Sequence, residues 1–493
     1  MINNKVGRET SWHFIISILA LVIGAFNNLF IYSGNVSLKG KYDFVVNTGY
    51  ILAIVLGFGL SSLPNKYLVV FKTEDGKDNG FLTSLIVSGL LSCALALLSF
   101  FVLFDLLKLG AGSEYQLYWK AILMVGISVV FLQILSRYMN AKGITALPLF
   151  VINLVNKVFI GLLVYLISQG WYSEDYFVIT FVMVFIAEVI ILFMATSMLF
   201  QKALTSFSAE TISRLLPKEF IPFLISGFFL TLSYSILDKI DISMLGVLAN
   251  FKDTGQYGII QYITAIMLMP YIGIISMYGR IIADHMHCNE FEQVEKIYMI
   301  TSAYLHVVGL LLFLAVWANL PVLSYISPKM QPILANLDVI LILALGHLVN
   351  MVFGVNEHII SYGRYFMYNV AFVVAAIILN IVLNYALIPI YSIKGAAVAT
   401  TFTLVLFNVG KSYFIRSKYG MNVINRKVIF TFIVGTTFVG IIYLFNIDYN
   451  GISFIVSNLL VVAFWVLSVK FDFSQNFTSL NHKYWVKLKL FFA

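Results

Sequence analysis

The sequence predicts an all-α polytopic membrane protein with about 14 transmembrane helices. Its 493 residues are 60% hydrophobic and only 11% charged, whereas charged residues make up roughly a quarter of an ordinary soluble protein. Uncharged runs of 26 to 29 residues recur along the chain, for example at 10–38 and 365–393. A helix needs roughly 20 apolar residues to cross a bilayer. The runs are therefore long enough to span as helices and too long for the strands of a membrane barrel.

Charged and turn-forming residues mark the ends of the predicted spans. The first six are expected at about 12–34, 45–69, 81–107, 118–138, 146–169 and 176–200. After a polar connector, a second six are expected at about 220–249, 255–283, 297–326, 333–357, 365–389 and 393–415. Two more follow at about 428–447 and 451–470. We therefore predict an N-terminal six-helix lobe (1–215), a C-terminal six-helix lobe (216–425), and helices 13 and 14 with a basic cytoplasmic tail (426–493).

The distribution of basic residues predicts the orientation of the chain. With the N-terminus in the cytoplasm, 22 of the 31 Lys and Arg residues fall on the cytoplasmic side and 7 on the other side, while Lys157 and Lys239 lie inside spans. Cytoplasmic loops of membrane proteins carry an excess of Lys and Arg. We therefore expect both termini in the cytoplasm. The net charge of +8 then follows from topology and does not indicate a nucleic-acid partner.

The sequence carries no motif for a cofactor or a catalytic metal. It lacks a Gly-rich phosphate loop, a G-x-S-x-G elbow and an H-E-x-x-H pair. Its two cysteines are too few for a disulfide framework. Loops are short on both sides, so no segment outside the membrane is long enough to fold as a separate domain. Any chemistry is therefore expected inside or beside the membrane, without a cofactor.

Two charged residues are predicted at similar depth in neighbouring helices. Lys157 lies near the middle of the fifth span and Glu188 near the middle of the sixth, and charges inside a membrane usually face a cavity or a partner. A salt bridge that only joins the two helices and a role in lining a cavity are both compatible with this placement. Asn153 and Asn156 precede Lys157, and Asn153 shares its helix face, which favours a polar cavity wall.

A second charged cluster, Asp238, Lys239 and Asp241, is predicted in the seventh span. Asp238 and Asp241 are three residues apart, so they are neighbours on one face of a helix. Two carboxylates placed this way could hold a cation or a proton, with Lys239 as the neutralising charge. The alternative is a solvated helix end, since the cluster lies toward the external side.

Three further candidates are polar side chains near a span end or in the first span. Arg280, at the cytoplasmic end of the eighth span, could bind an anionic headgroup, because guanidinium groups match phosphate oxygens. The excess of cytoplasmic cations explains its position equally well. Asn27 and Asn28, in the first span, need hydrogen-bond partners at that depth, and a bond between helices would satisfy them.

Two stretches of the sequence carry recognisable motifs. The first is Asp238-Lys-Ile-Asp-Ile-Ser-Met-Leu-Gly246 followed by Gly255-Gln-Tyr-Gly258. The second is Asn380-Ile-Val-Leu-Asn384, Leu387-Ile-Pro389 and Ile393-Lys-Gly395-Ala-Ala-Val-Ala-Thr400. They resemble the seventh-to-eighth and eleventh-to-twelfth helix signatures of O-antigen (Wzx-like) flippases, a family of the multidrug/oligosaccharidyl-lipid/polysaccharide (MOP) exporter superfamily. Together with the order of six, six and two spans, the resemblance covers nearly the whole chain.

The resemblance implies two MATE-like six-helix lobes around a central cavity, with helices 13 and 14 peripheral. The implied function is a flippase that moves isoprenoid-pyrophosphate-linked oligosaccharides across the bacterial cytoplasmic (inner) membrane, for O-antigen, lipopolysaccharide, capsule or exopolysaccharide biosynthesis. Implied partners are that substrate, membrane lipids, H⁺ or Na⁺ as a coupling ion, and a polysaccharide polymerase with its assembly proteins. Relatives carry an ionisable residue where this chain has Asn27 and Asn28, so ion coupling through the first helix is not expected.

Two other functions compete with this one. A cation-coupled multidrug or small-molecule antiporter would have the same fold. A membrane glycosyltransferase or polymerase would place catalytic acids on external loops, but the predicted first external loop offers only Asp43 and the third only Glu174 and Asp175. We therefore predict a transporter and not an enzyme.

Overall fold

The computed structural model describes residues 2–71, 80–106, 113–200, 220–424, 426–446 and 450–470. All regular secondary structure in these ranges is helical, which confirms the predicted all-α class. The chain divides into two compact units, Met1–Gly255 and Gln256–Ala493. The first unit thus extends beyond residue 215, and the lobe boundaries drawn from the sequence stay a prediction.

The helices of the first unit cover the first seven predicted spans, with one or two helices to a span, and the start of the eighth. They are α1 (Ile2–Phe26), α2 (Val36–Gly57), α3 (Leu63–Phe71), α4 (Phe81–Leu106), α5 (Ser113–Ala141), α6 (Ala146–Leu149), α7 (Asn156–Ser168), α8 (Phe177–Leu199), α9 (Phe220–Leu248) and the start of α10 (Phe251–Ala265). Helix α2 packs against α5 and α9, and α5 also packs against α8. These helices surround the polar side chains described below.

Helix α2 begins at Val36, well before the predicted start of the second span. Lys39 and Lys41, whose charges placed that start near residue 45, are both paired within the fold. Lys39 forms an ion pair with Asp43 one turn later, and Lys41 Nζ lies 2.7 Å from a carboxylate oxygen of Glu174. Asp43 is therefore a buried helical residue, and its predicted position in an external loop is wrong.

Three spans of the first unit are not continuous α-helices. Helix α1 passes into a π-helical turn at Asn27–Ile31, and a second π-helical turn, Phe150–Val155, joins α6 to α7. Helix α2 ends at Phe58 and Gly59, which both have left-handed backbone angles (φ 34° and 79°). π-helical turns occur frequently at functional sites. Here they carry Asn27 and end immediately before Asn156 and Lys157.

Gly255, which belongs to the first sequence motif, allows a close approach between α2 and α10. A β-carbon at Gly255 would overlap the carbonyl oxygen of Val36, and a β-carbon at Gly40 would overlap that of Phe251. Backbone can come this near to backbone only where both residues lack a side chain. The motif glycine therefore has a packing role in the first unit.

The second unit contains the rest of α10 and the helices that follow it. They are α11 (Met269–His287), α12 (Phe291–Ile326), α13 (Gln331–Leu334), α14 (Leu337–Phe353), α15 (Asn356–Tyr362), α16 (Phe366–Tyr391), α17 (Ile393–Tyr419), α18 (Arg426–Asn446) and α19 (Gly451–Lys470). Helix α17 packs against α14 and α16, and α12 packs against α11, α14, α18 and α19. One continuous apolar core joins side chains of α11, α12, α14, α15 and α17.

Across the described ranges, ten helices are long and apolar enough to cross a membrane. An eleventh is added if Pro328–Leu334 and Leu337–Phe353, which are bent by 68°, form one span. The protein is therefore a multi-pass membrane protein, and the count of fourteen stays a prediction. The predicted basic tail lies outside the described residues.

The predicted tenth span is broken at Gly354, between α14 and α15. Gly354 has φ 49°, a conformation that glycine adopts without the steric penalty of a β-carbon. Asn408 of α17 bridges the break, because it donates to Asn350 Oδ1 (3.2 Å) before the break and accepts from Asn356 Nδ2 (2.9 Å) after it. The neighbouring helix thus holds both halves of the interrupted span.

Candidate functional site

Lys157 lies in the first turn of α7, directly after a π-helical turn. Its Nζ donates a hydrogen bond to the carbonyl oxygen of Ala20 in α1 (3.0 Å). In the opposite direction, Asn27 Nδ2 donates to the carbonyl oxygen of Lys157 (2.8 Å). The first bond holds the half-buried ammonium against α1, and the second holds the backbone of Lys157 against Asn27. No carboxylate of the described residues forms an ion pair with Lys157.

Glu188, on α8, is almost completely buried, with 1% of its surface exposed. Its Oε1 accepts a hydrogen bond from Asn156 Nδ2 (2.9 Å), and Asn156 Oδ1 in turn accepts one from the Tyr42 hydroxyl (2.8 Å). Glu188 Oε2 has no hydrogen-bond partner among the side chains and backbone that the structure describes. A polar chain of three residues therefore joins α2, α7 and α8.

Lys157 and Glu188 do not form the ion pair that their predicted depths allow. Neighbouring residues of a helix point about 100° apart, so Asn156 faces Glu188 while Lys157 faces α1. The interpretation in which a direct Lys157–Glu188 salt bridge joins the two helices is therefore wrong. Asn156 makes the hydrogen bond between α7 and α8 instead, and Lys157 has no ion-pair partner in the described part of the chain.

The charged cluster on α9 is described in part. Asp241 is fully buried, and Lys239 Nζ lies 4.7 Å from the ring centroid of Tyr50 on α2, which is a cation–π contact. The side chain of Asp238 lies outside the described residues, so its pairing with Asp241 stays a prediction. Lys239 thus contacts the helix that also carries Tyr42.

The remaining candidates do not join the contacts made by Lys157 and Glu188. Asn28 Nδ2 donates to the carbonyl oxygen of Gly24 in its own helix (2.7 Å), so the expected bond between helices is not made by this amide. Asn153 is half-buried in its π-helical turn and makes no side-chain hydrogen bond within the described part of the chain. Arg280 is exposed on α11, in the second unit.

The sequence interpretation missed further charges inside the first unit. The ion pair of Lys39 with Asp43 lies beside two aromatic rings, with Lys39 Nζ 5.3 Å from the ring centroid of Tyr32 and 5.7 Å from that of Tyr42. Lys39 is close enough to Lys157, and Lys239 to Asp43, for electrostatic interaction. Lysines from α2, α7 and α9 therefore contribute positive charge to this interior. The four-residue spacing of Lys39 and Asp43 is the feature of the sequence that could have predicted their ion pair, because residues four apart are neighbours on a helix.

A buried charge pair in the second unit was missed as well. Lys411 lies within the predicted twelfth span but was not singled out as a candidate, and it is only 1% exposed on α17. Its Nζ lies 3.7 Å from Glu357 Oε2 on α15 and 3.9 Å from the ring centroid of Phe407. The separation from Glu357 is too long for a hydrogen bond. The two side chains therefore interact by charge alone.

The arrangement around Lys157 suits an anionic ligand. The ammonium is half-buried, lacks a counterion among the described residues, and donates its hydrogen bond to a backbone carbonyl oxygen of α1. Charges placed inside a membrane are costly and mark substrate or ion pathways. The described residues contain no group of three His, Cys, Asp or Glu side chains that could hold a metal ion.

No protein-family model and no curated protein matches the sequence, but solved structures of transporters share its fold. The lipid II flippase MurJ, in an inward closed conformation, is 15% identical and has a TM-score of 0.66 over 93% of this chain and 98% of its own. An inward-facing multidrug resistance MATE family transporter of the MOP superfamily is 15% identical, with a TM-score of 0.59 over 81% and 94%. A MATE in complex with MaL6 is 14% identical, with a TM-score of 0.53 over 85% and 96%.

At such low identity, the likeness establishes the fold alone. The chain has the MurJ/MATE fold, so the predicted all-α, MATE-like fold class is confirmed. These structural neighbours are a lipid II flippase and MATE proteins, one of them a multidrug resistance transporter of the MOP superfamily. They do not single out the Wzx-like family.

Proposed function

We propose that the protein is a flippase that moves isoprenoid-pyrophosphate-linked oligosaccharides across the bacterial cytoplasmic membrane by alternating access, for cell-surface polysaccharide biosynthesis. The observation that carries the proposal is the half-buried ammonium of Lys157, which bonds to a carbonyl oxygen of α1 and has no ion-pair partner among the described residues. Pyrophosphate oxygens accept short, charge-assisted hydrogen bonds from such a group. The cargo would thus supply the negative charge that Lys157 lacks among the described residues.

Two further observations support a lipid-linked cargo. The MurJ structure, whose cargo is lipid II, matches 93% of this chain, whereas the two MATE structures match 81% and 85%. The sequence motifs on the seventh and eleventh to twelfth spans resemble those of oligosaccharide flippases. The proposal includes cytoplasmic termini, H⁺ or Na⁺ coupling, and a polysaccharide polymerase with its assembly proteins as partners.

A cation-coupled multidrug antiporter is the second candidate, and the shared fold with MATE transporters favours it. Such a protein would export cationic drugs, for which a positively charged lysine in the interior is unfavourable because like charges repel. The two candidates therefore differ in the sign of the charge on the cargo.

Lys157→Gln tests the proposal directly. In a strain that lacks the chromosomal gene, the wild-type protein should restore surface polysaccharide, and Lys157→Gln should restore less than a tenth of it at equal protein level. Lys394→Gln is the matched control, because Lys394 is exposed and paired with Asp338 (2.5 Å). It should restore export fully.

The lipid-linked intermediates and drug sensitivity distinguish the candidates. In the deletion strain and with Lys157→Gln, lipid-linked oligosaccharide should accumulate on the cytoplasmic face, and sensitivity to cationic drugs should not change. Full export by Lys157→Gln would remove Lys157 from the site. If the deletion strain has normal surface polysaccharide and increased drug sensitivity, the flippase proposal is wrong and the antiporter function is supported.

A further inference from the structure

A cluster of cations surrounds one tyrosine at the end of α17 in the second unit. Arg364 Nη2 donates a hydrogen bond to the Tyr365 hydroxyl (2.7 Å), and the guanidinium carbon lies 4.7 Å from the centroid of the same ring. Lys418 Nζ, in the last turn of α17, lies 5.7 Å from that centroid. Two cations from different segments are therefore gathered around Tyr365.

The tyrosine ring that organises these cations is itself held by other rings. Tyr365 packs edge-on against Tyr368, Phe414 and Tyr419, with centroid distances of 6.0, 5.8 and 5.8 Å. Its hydroxyl and face are thus fixed relative to α16 and α17. Arg364 consequently presents its other N–H groups from a defined position, which reduces the entropy lost when they bind a ligand.

The positive charge of this cluster is not compensated within the described part of the chain. Three glutamates near the start of α12 already have partners: Glu290 with His285, Glu292 with Lys296, and Glu295 with the backbone N–H of Asn422. Phe291 contacts Tyr419, which places the start of α12 at the same end of the unit. In contrast, no described carboxylate pairs with Arg364, Arg416 or Lys418.

An apolar stripe on α17 ends at Arg416, at the same end of the helix as Lys418. Phe402, Leu406, Val409 and Tyr413 are 52%, 52%, 47% and 75% exposed. Their spacing of four, three and four residues places them on one face of the helix. Arg416 follows Tyr413 by three residues and therefore ends the same stripe.

We propose that this end of α17 binds one anionic phospholipid. The headgroup phosphate is bound by Arg364 and Lys418, and an acyl chain lies along the exposed apolar surface of α17, which includes the stripe from Tyr413 to Phe402. Guanidinium groups form paired hydrogen bonds with phosphate oxygens, and basic residues beside a membrane span attract anionic lipids. The proposal is independent of the cargo and of Lys157.

Lipid titration of the purified full-length protein, followed by native mass spectrometry, tests the proposal. Palmitoyl-oleoyl phosphatidylglycerol should bind at least tenfold more tightly than the phosphatidylcholine with the same chains. Removing both cations (Arg364→Gln with Lys418→Gln) should weaken phosphatidylglycerol binding by about 30-fold, because each cation near an anionic lipid contributes about 1 kcal/mol. The affinity of Arg364→Lys for phosphatidylglycerol should lie between those of the wild type and the double variant. Lysine keeps the positive charge but cannot form the paired hydrogen bonds of a guanidinium group.

The double variant Lys296→Gln with Lys394→Gln is the matched control, because both lysines are about half exposed and paired with a carboxylate. It should bind phosphatidylglycerol like the wild type. Equal affinity for the two lipids, or unchanged binding by the Arg364 and Lys418 variant, would overturn the proposal. So would equal binding of free glycerol phosphate, because the apolar stripe would then contribute nothing.

Discussion

Asn156 is expected to contribute more to stability than Glu188, the charged residue that it contacts. In Asn156→Ala, Glu188 loses the one hydrogen bond recorded for its side chain, which is worth about 1.5–3 kcal/mol for a charged partner. The Tyr42 hydroxyl loses its acceptor, worth about 0.5–1.5 kcal/mol. We therefore expect the free energy of unfolding to fall by about 2–4.5 kcal/mol. Glu188→Gln keeps an oxygen for Asn156 and removes a buried charge, so its loss should stay below about 1 kcal/mol.

Equilibrium unfolding in mixed detergent micelles, followed by tryptophan fluorescence, measures both changes. Asn153→Ala is the matched control, because Asn153 is an asparagine of the same span without a described side-chain hydrogen bond. It should change the free energy of unfolding by less than about 0.5 kcal/mol. A loss for Glu188→Gln as large as that for Asn156→Ala would refute the reasoning, since the buried charge itself would then be stabilising.

Two further predictions use the same unfolding measurement. Gly161→Ala should lower the free energy of unfolding by about 1–3 kcal/mol, because a β-carbon there would lie 2.6 Å from the amide atoms of Asn27. Gly440→Ala is the control, since there is open space around its β-carbon, and it should not lower the free energy of unfolding. Lys411→Met should cost about 3–5 kcal/mol, because it leaves the partly buried Glu357 without its cation. Adding Glu357→Gln should recover most of that loss. Additive losses in the double variant would show that the two charges do not interact.

The sequence alone determined the class of protein and the approximate positions of its helices. Span length and hydrophobicity are local properties of the chain, because each backbone group in a bilayer must be hydrogen-bonded within its own helix. The start of α2 was the clearest error. Lys39 and Lys41 look like the end of a span until their partners, Asp43 and Glu174, are known.

The charged residues of the candidate site could be predicted from the sequence, but the partners of each side chain could not. The cost of a charge inside a membrane identifies Lys157 and Glu188 from the sequence. Which atoms neutralise or hold them depends on the direction of each side chain and on the distance between helices that are far apart in the chain. Asn156 and Lys157 are adjacent in sequence, yet the side chain of Asn156 faces α8 and that of Lys157 faces α1.

Tertiary structure alone decided that Lys157 bonds to a carbonyl oxygen of α1, that Asn156 contacts Glu188, and that Lys411 is buried beside Glu357. None of these contacts follows from spacing along one helix, since each joins residues at least 32 positions apart. The physical reason is that hydropathy reports the transfer of a residue into the membrane, whereas hydrogen bonds and ion pairs require two groups within about 3–4 Å. Only the packing of helices against one another sets those distances.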